Sequence, residues 1–268
     1  MKIFVCVKQV PDTRGKAYIK KDGSLDRAKM STIINPDDLG AVETALRLKE
    51  QFGNAKIVAV TMGPPMAALM MHELYAMGVD ETVIVSGREF GGSDTYGTST
   101  VLAAAIDSIG LEPEDLILCG RQAIDGDTAQ VGPELAEKLG IAQLTYVTEI
   151  RKDGDTLLCK RLLEDGYMQV QLHTPCLLSC MKEIAAPRYM SIRGILDWDK
   201  SKCRVIDYNE LKQNRLFDDE VIGTVKSPTV VLTSFALQKK TGGMLLEGRP
   251  AEMTEKLFAT LRDKHVLD

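Results

Sequence analysis

Short apolar runs of strand length alternate with helical patterns through the first half of the sequence, and this alternation constrains the fold most. The runs are rich in β-branched residues, as expected of parallel strands covered on both faces. They span residues 2–7, 56–62, 81–86 and 115–120. Helical patterns, each followed by a glycine, span residues 37–52, 65–77, 94–109 and 127–139. Strands alternating with helices predict a parallel sheet with crossover helices, a Rossmann-like three-layer α/β domain.

The pattern changes after Gly140. Three short alternating runs are separated by turn signals, which predicts antiparallel hairpins, and a further apolar run predicts one more buried strand. These four segments are residues 144–151, 156–163, 168–173 and 175–181. The sheet is therefore expected to carry a small antiparallel extension.

The sequence beyond residue 197 is polar and has only short apolar runs, apart from an amphipathic helical pattern at 250–262. This stretch is too poor in apolar residues to form a core of its own. We therefore predict a nucleotide-binding domain over 1–196 and, over 197–268, a C-terminal arm that packs on another protein.

Composition excludes several classes of function. The formal net charge of −5 argues against a nucleic-acid partner. No apolar run approaches the roughly 20 residues of a membrane-spanning helix, and the N-terminus is typical of a strand rather than a signal peptide, which predicts a cytoplasmic protein without a membrane span. The six cysteines lie mostly in apolar runs without metal-ligand spacing, so we expect them to be reduced and mostly buried, with no metal site. No catalytic acid, base or nucleophile set is recognisable, which favours a carrier over a hydrolase.

Residues 120–133 are the strongest candidate for a binding site. The segment follows a predicted parallel strand and enters a helix, so it lies at the sheet edge where open α/β domains bind ligands. Asp127 or Thr128 could cap that helix, and Gly126 and Gly132 would let backbone approach a phosphate. A plain capped turn would also explain these residues. The segment matches neither a Walker A loop nor a GxGxxG motif.

Residues 91–100 repeat this arrangement between a strand and a helix. Asp94 is a natural N-cap, and hydroxyl groups on the first helical turns face the expected ligand side. Alone, such a segment is more often a loop and cap than a cofactor site, but two of them at one sheet edge favour a nucleotide site.

These segments resemble the β-subunit family of electron transfer flavoproteins, and the likeness runs essentially end to end. It is carried by residues 5–12 (Val-Cys-Val-Lys-Gln-Val-Pro-Asp), by Asn35-Pro36, by 60–64 (Val-Thr-Met-Gly-Pro) and above all by 120–128 (Gly-Arg-Gln-Ala-Ile-Asp-Gly-Asp-Thr). The resemblance implies the fold of adenine nucleotide α-hydrolase-like domains and an adenine-nucleotide site.

The resemblance assigns roles to particular residues. The strand ends and the Asn-Pro turn line the adenosine, and the 120–132 loop and helix start hold phosphates, with the 94–99 helix start completing the site. The implied cofactor-binding residues are Cys6, Asn35, Pro36, Asp37, Asp38, Met62, Asp94, Thr95, Thr98, Ser99, Arg121, Gln122, Ala123, Ile124, Asp125, Gly126, Asp127, Thr128, Ala129, Gln130, Val131 and Gly132. No side chain is assigned as a catalytic acid or base.

The family has two functional branches. In plain carriers the β subunit holds AMP structurally, whereas in electron-bifurcating members it holds a complete FAD. That flavin takes a hydride from NADH and divides the electron pair between a high-potential and a low-potential acceptor. Residues 8–12 and 91–95 resemble the bifurcating branch. The resemblance therefore implies FAD, with AMP as the alternative, in the electron-transfer subunit of a flavin-dependent oxidoreductase complex.

The resemblance also implies partners. These are the α subunit, which the C-terminal arm wraps, a flavin-dependent dehydrogenase of the acyl-CoA or hydroxy-acid type, and ferredoxin or flavodoxin as the low-potential acceptor. A recognition loop near 187–196 would dock the dehydrogenase through Tyr189, Ile192 and Arg193, with Ile192 as anchor. Residues 197–199 (Asp-Trp-Asp) depart from the lysine-rich stretch common in the family, which leaves the docking dehydrogenase undetermined.

Two alternatives to the bifurcating subunit stay open. A plain carrier subunit would contain bound adenine without bound isoalloxazine. A nucleotide-sensing module of the adenine-nucleotide α-hydrolase type would bind ATP or AMP reversibly and contain no flavin.

Overall fold

A nine-stranded sheet organises the first of the two units into which the chain divides, Met1–Leu232. The computed structural model describes residues 1–12, 31–230 and 242–267. The strands are β1 Lys2–Cys6, β2 Gln9–Pro11, β3 Thr32–Ile34, β4 Lys56–Met62, β5 Glu81–Val85, β6 Leu116–Gly120, β7 Ala142–Asp153, β8 Thr156–Leu162, β9 Tyr167–Leu172, β10 Cys176–Cys180 and β11 Cys203–Ile206. The α-helices are α1 Pro36–Phe52, α2 Ala68–Met77, α3 Thr95–Ile109, α4 Val131–Leu139, α5 Ile192–Asp197, α6 Tyr208–Leu211, α7 Gly223–Lys226 and α8 Pro250–Asp263.

The sheet order is β11-β5-β4-β1-β6-β10-β7-β8-β9. Neighbouring strands are parallel from β11 to β7 and antiparallel from β7 to β9, and β2 and β3 form a separate antiparallel pair. The chain runs from β1 to β4 and β5 on one side, and β6 then returns to the other side of β1. Strand order therefore reverses between β1 and β6, and the carboxyl ends at such a switch point form the crevice where open α/β sheets bind ligands.

Helices cover both faces of the parallel strands. Successive residues of β1 alternate between two buried clusters: Ile3 and Val5 pack with α1 and α2, whereas Phe4 and Cys6 pack with α3 and α4. This alternation is the two-residue period of a strand buried on both faces. The predicted Rossmann-like three-layer sheet with a small antiparallel extension is confirmed.

The start of α4 differs from the sequence-based expectation. The helix was expected from residue 127, but it begins at Val131, and its N-cap Gln130 makes no side-chain cap bond. Asp127 and Ala129 have φ angles of 51° and 54°. Left-handed backbone at both positions is incompatible with a helix, so the cap predicted at Asp127 or Thr128 is wrong.

Residues 203–206 form a strand that the sequence analysis did not predict. β11 runs parallel to β5 and extends the sheet by one edge strand. Within this chain the contacts divide at Leu232 and Thr233, whereas the boundary was predicted at 196/197. The packing of the C-terminal arm on a partner stays a prediction.

The second unit, Thr233–Asp268, contains the amphipathic helix α8. Pro250 occupies its first turn, where the missing backbone N–H costs no hydrogen bond. No residue of α8 is buried, and Leu257 and Phe258 are 46% and 57% exposed. Among the described residues, no helix is both long and apolar enough to cross a membrane.

The cysteines are free thiols, as predicted, and five of the six are buried. Cys6 and Cys119 are register partners on β1 and β6. Burial, together with the negative charge of Asp38, raises the pKa of the Cys6 thiol to about 12. This thiol therefore stays protonated and acts as a small apolar group.

Candidate functional site

A buried carboxylate joins three elements at the switch point. Asp38, in the first turn of α1, accepts hydrogen bonds from Lys8 N at 2.8 Å and from Gly120 N at 2.9 Å. Those donors follow β1 and end β6, so one side chain holds both strand ends against the helix start. A Cβ at Gly120 would overlap Asp38 Oδ1 and lie 2.7 Å from the backbone of Asp37. Only glycine permits this close approach.

The environment of Asp38 changes its protonation. Its side chain is 6% exposed. Burial raises its pKa to about 7, against the opposing effect of hydrogen bonds from Lys8, Asn35 and Gly120. Asp38 therefore titrates near neutral pH.

Asn35 connects the same helix start to the loop that follows β6. Its Nδ2 donates to Gln122 O at 2.8 Å, and its Oδ1 accepts from Ile124 N at 3.2 Å. Asn35 occupies the N-cap position of α1, but its side chain makes no cap bond to that helix. Lys8 Nζ reaches the same loop, 2.8 Å from Asp125 Oδ1. The loop is thus held by side chains that lie far from it in sequence.

Arg121 places an unsatisfied donor at this edge. Its Nε is buried and, within the described part of the chain, has no hydrogen-bond acceptor. Asp37 Oδ2 lies 3.4 Å away, an ion-pair contact without hydrogen-bond alignment. Burial raises the pKa of Asp37, although Arg121 partly offsets this. A buried N–H without an acceptor is costly, so it points to an acceptor supplied by a ligand.

The loop from Asp127 to Gln130 forms a concave run of backbone donors. Asp127 and Ala129 have left-handed φ angles, Thr128 between them does not, and Gln130 has right-handed backbone with a φ of −100°. Such alternation turns successive N–H groups toward one point and creates an anion-binding concavity. Across the residues that the structure describes, the N–H groups of Thr128, Ala129 and Gln130 have no acceptor. The free first-turn donors of α4 extend this run.

The helix α4 approaches the sheet closely at its first turn. A Cβ at Gly132 would lie 2.9 Å from Cys119 Sγ. The absence of a side chain there lets the donor-rich end of α4 sit directly beside β6. The loop and helix start thus meet the geometric requirement for holding phosphate oxygens at the switch point.

The start of α3 is joined to the start of α4 by Glu134. Thr95 Oγ1 donates to Glu134 Oε1 at 3.1 Å. Ser99 Oγ lies 3.3 Å from Glu134 Oε2 and 2.8 Å from Tyr96 O, and its single proton can go to either acceptor. Burial raises the pKa of Glu134. Glu134 is not among the residues predicted from the sequence. The sequence signal for it is a carboxylate in the first turn of a helix that follows a predicted phosphate loop.

Asp94 caps α3 as predicted, through a hydrogen bond from Gly97 N at 2.9 Å. Its other carboxylate oxygen accepts from Thr229 N at 2.8 Å. Both oxygens therefore serve local structure. A direct role of Asp94 in cofactor binding stays a prediction.

The structure brings most of the predicted site residues together at the carboxyl edges of β1 and β6. Met62 ends β4, the strand beside β1, and packs partly buried against the core. Thr98 lies in the first turn of α3, with its N–H bonded to Asp94 O. Lys8, absent from the predicted binding residues, contributes through its backbone and its ammonium group.

The segment predicted to recognise a partner is anchored at its start. Arg188 donates from Nε to Glu43 Oε2 at 2.8 Å and from Nη1 to Glu50 Oε1 at 2.8 Å, both on α1. Ser191 N donates to Ala76 O on α2 at 2.8 Å. Between and beyond these anchors Tyr189 is 97% exposed and Ile192 is 77% exposed. Arg193 follows in α5 and is also exposed.

Replacing Arg188 with methionine should lower the free energy of unfolding by about 1–3 kcal/mol. Burial alone would raise the pKa of Glu43, but hydrogen bonds from Arg188 and Arg47 hold it below its usual value. Removing Arg188 leaves this buried carboxylate with one arginine. Urea unfolding measures the change. Arg151→Met is the control, because it breaks the exposed pair with Glu149 and should cost less than about 1 kcal/mol; equal losses would contradict a special anchor at Arg188.

Comparisons with known proteins show which proteins this chain resembles over its length. The model of the electron transfer flavoprotein domain matches residues 22–206. The acryloyl-CoA reductase electron transfer subunit gamma of Anaerotignum propionicum is 51% identical over 268 residues and 100% of both chains. The caffeyl-CoA reductase-Etf complex subunit CarD of Acetobacterium woodii is 40% identical, again over 100% of both chains. The electron transfer flavoprotein subunit beta of Clostridium acetobutylicum is 41% identical over 267 residues and 100% of both.

Similarity of this extent covers the sheet, the loop at its switch point and the C-terminal unit alike. The resemblance inferred from the sequence is confirmed. The chain therefore belongs to the electron transfer flavoprotein family, as one of the β subunits that take part in electron transfer.

Proposed function

We propose that this chain is the FAD-binding β subunit of an electron-bifurcating electron transfer flavoprotein in the cytoplasm. In this role it takes electrons from NADH and passes them to a partner flavin dehydrogenase and to a low-potential acceptor such as ferredoxin or flavodoxin. The observation that carries the proposal is the loop after β6. Among the described residues, the N–H groups of its residues 128–130 and the buried Arg121 Nε have no hydrogen-bond acceptor, and they lie together at the switch point.

The residues present fit an adenine dinucleotide. Arg121 and the N–H groups of residues 128–132 would hold the pyrophosphate, and Cys6, Asn35 and Met62 stand where the family lines the adenosine. A bound FAD supplies the hydride acceptance and the division of the electron pair. In this proposal the protein orients the flavin, and no side chain is assigned as an acid or base for the transfer.

The proposal of FAD rather than AMP rests on two segments, one that follows β1 and one that follows β5. Residues 8–12 and 91–95 resemble the bifurcating branch. Lys8 joins the adenosine side to the phosphate loop through Asp125, at 2.8 Å. The 91–95 turn is held from the other side, since Gly223 N donates to Ser93 Oγ at 2.7 Å. Both segments are thus built into the same edge of the sheet.

The names of the relatives indicate the class of partner. Acryloyl-CoA reductase and caffeyl-CoA reductase act on thioesters of coenzyme A, so we propose a dehydrogenase of the acyl-CoA type over the hydroxy-acid type. The exposed Tyr189 and Ile192 would dock it, beside Arg193. Helix α8 exposes Leu257 and Phe258, which supports the packing of the C-terminal arm on the α subunit.

Each alternative predicts a different set of bound nucleotides. The bifurcating subunit and its α partner together hold two FAD, whereas a plain carrier pair holds one FAD and one AMP. A nucleotide-sensing module holds exchangeable ATP or AMP and no flavin. Chromatography of the nucleotides released by heat from the copurified complex, with the absorbance spectrum of the intact complex, distinguishes the three.

A further inference from the structure

Glu134 occupies an unusual position for a carboxylate. It lies in the first turn of α4, next to the loop whose unpaired N–H groups form the candidate phosphate site. Its two oxygens lie 3.1 and 3.3 Å from the hydroxyls of Thr95 and Ser99 of α3. Thr95 Oγ1 also lies 3.4 Å from Oε1 of Gln130, a residue of that loop. The Thr95 hydroxyl has a single proton and donates it to Glu134 or to Gln130, so both acceptors lie within reach of one donor beside the phosphate loop.

This arrangement removes two hydroxyls from the ligand. Thr95 and Ser99 are donors that the family resemblance assigns to the nucleotide. Thr95 Oγ1 instead has Glu134 Oε1 as an acceptor, and the single proton of Ser99 Oγ has Tyr96 O at 2.8 Å and Glu134 Oε2 at 3.3 Å as acceptors. Asp94 adds a second negative charge, close enough to Glu134 to raise the pKa of that carboxyl further. Lys138 partly offsets these charges. The side of the site formed by the start of α3 therefore carries negative charge. Arg121 supplies positive charge after the end of β6.

We propose that Glu134 is a specificity-determining residue whose carboxylate disfavours phosphate chains with more negative charge than a bridged pyrophosphate and so selects a dinucleotide over ADP and ATP. The proposal rests on the proposed function, because it concerns the same nucleotide site. A terminal phosphate carries about two negative charges at neutral pH. A phosphate that is bridged on both sides lacks the second ionisation and carries about one. AMP and the pyrophosphate of FAD therefore each carry about two negative charges, whereas ADP carries about three and ATP about four. Like-charge repulsion from Glu134 therefore grows from FAD and AMP to ADP and ATP.

The test compares three variants of the full chain in complex with its α partner. Glu134→Gln removes the charge and keeps an oxygen that can accept from one hydroxyl. Glu134→Asp keeps the charge. Glu137→Gln removes an equal charge from the exposed face of the same helix. For each complex, added AMP, ADP or ATP competes with the bound nucleotide, and the concentration that releases half of it is measured.

Glu134→Gln is expected to lower the half-release concentration of ATP by about tenfold, of ADP by less, and of AMP by less than about threefold. The differences should shrink at high salt, since screening weakens the repulsion. Glu137→Gln should behave as the wild type does. Glu134→Asp keeps the charge, so it should keep the wild-type ratio of the half-release concentrations of ATP and AMP.

An equal shift for AMP, ADP and ATP, or no shift, would overturn the role of Glu134, since loss of a merely structural tie between α3 and α4 would not depend on ligand charge. Failure of the proposed function has a different signature, because the wild-type complex would then release no second FAD whatever residue stands at position 134.

Discussion

Replacing Gly120 with alanine is expected to abolish nucleotide retention and to lower the free energy of unfolding by about 2–3 kcal/mol. The added Cβ would overlap Asp38 Oδ1 and approach the backbone of Asp37 to 2.7 Å. Both neighbours belong to the buried start of α1, so neither can swing away as the end of an exposed side chain could. Relief of the overlap must separate β6 from α1, and that separation breaks the bond from Gly120 N to Asp38.

The matched control for this substitution is Gly166→Ala, in the turn between β8 and β9. A Cβ there meets nothing within 4 Å, and the glycine does not have a left-handed φ. Its free energy of unfolding should change by less than about 0.5 kcal/mol, with nucleotide retention unchanged. Urea unfolding and nucleotide analysis of both purified variants make the comparison. Full nucleotide retention by Gly120→Ala would show that the strand-end contact does not shape the site.

Replacing Asp38 with asparagine should remove a pH dependence of about 2–3 kcal/mol from the unfolding free energy between pH 5 and pH 8. The pKa of Asp38 is raised from 3.8 to about 7 in the folded chain. Between those values the folded state binds more protons than the unfolded state. The stability contribution of this group is therefore complete below about pH 4 and is lost as pH rises through about 7.

Urea unfolding at several pH values measures this effect as the difference between wild type and variant. Asp38→Asn should be less stable than the wild type by about 1–3 kcal/mol at pH 5, because the amide can accept from only one of the two backbone donors. This difference in the free energy of unfolding between wild type and variant should decrease as pH rises. Asp107→Asn is the control, since the ordinary pKa of Asp107, 3.8, already lies below this pH range and the bond from Arg215 lowers it further. Parallel curves for wild type and Asp38→Asn would contradict the raised pKa.

Sequence patterns predicted the central fold because burial on both faces leaves a strong local signal. Strands β1, β4, β5 and β6 are continuous apolar runs, and each of the helices between them ends at a glycine. The alternating runs of β7 to β9 were equally readable. β11 was not, because its four residues lie in a polar stretch and Val205 is 55% exposed. Its pairing with β5 is a tertiary contact without local periodicity.

The sequence predicted which segments form the candidate site, but it did not predict the hydrogen bonds that connect them. The Gly-rich loop, the Asn-Pro turn and the strand exits could be placed at one edge by topology alone. The left-handed Asp127 and Ala129 could not, because non-glycine residues rarely adopt that backbone. The hydrogen bond between Asn35 and Ile124, which are 89 positions apart, could not be predicted from the sequence either. The same holds for the contacts of Glu134, which reach residues up to 39 positions away. Such bonds depend on how the helices pack against the sheet.

The number and identity of nucleotides in the copurified complex test the central claim most directly. The complex with the α subunit is purified, its flavin absorbance is measured, and the nucleotides released by heat are separated by chromatography. The account predicts two FAD for each heterodimer and no AMP. One FAD and one AMP would contradict it, and would leave this chain as a carrier subunit whose nucleotide is purely structural.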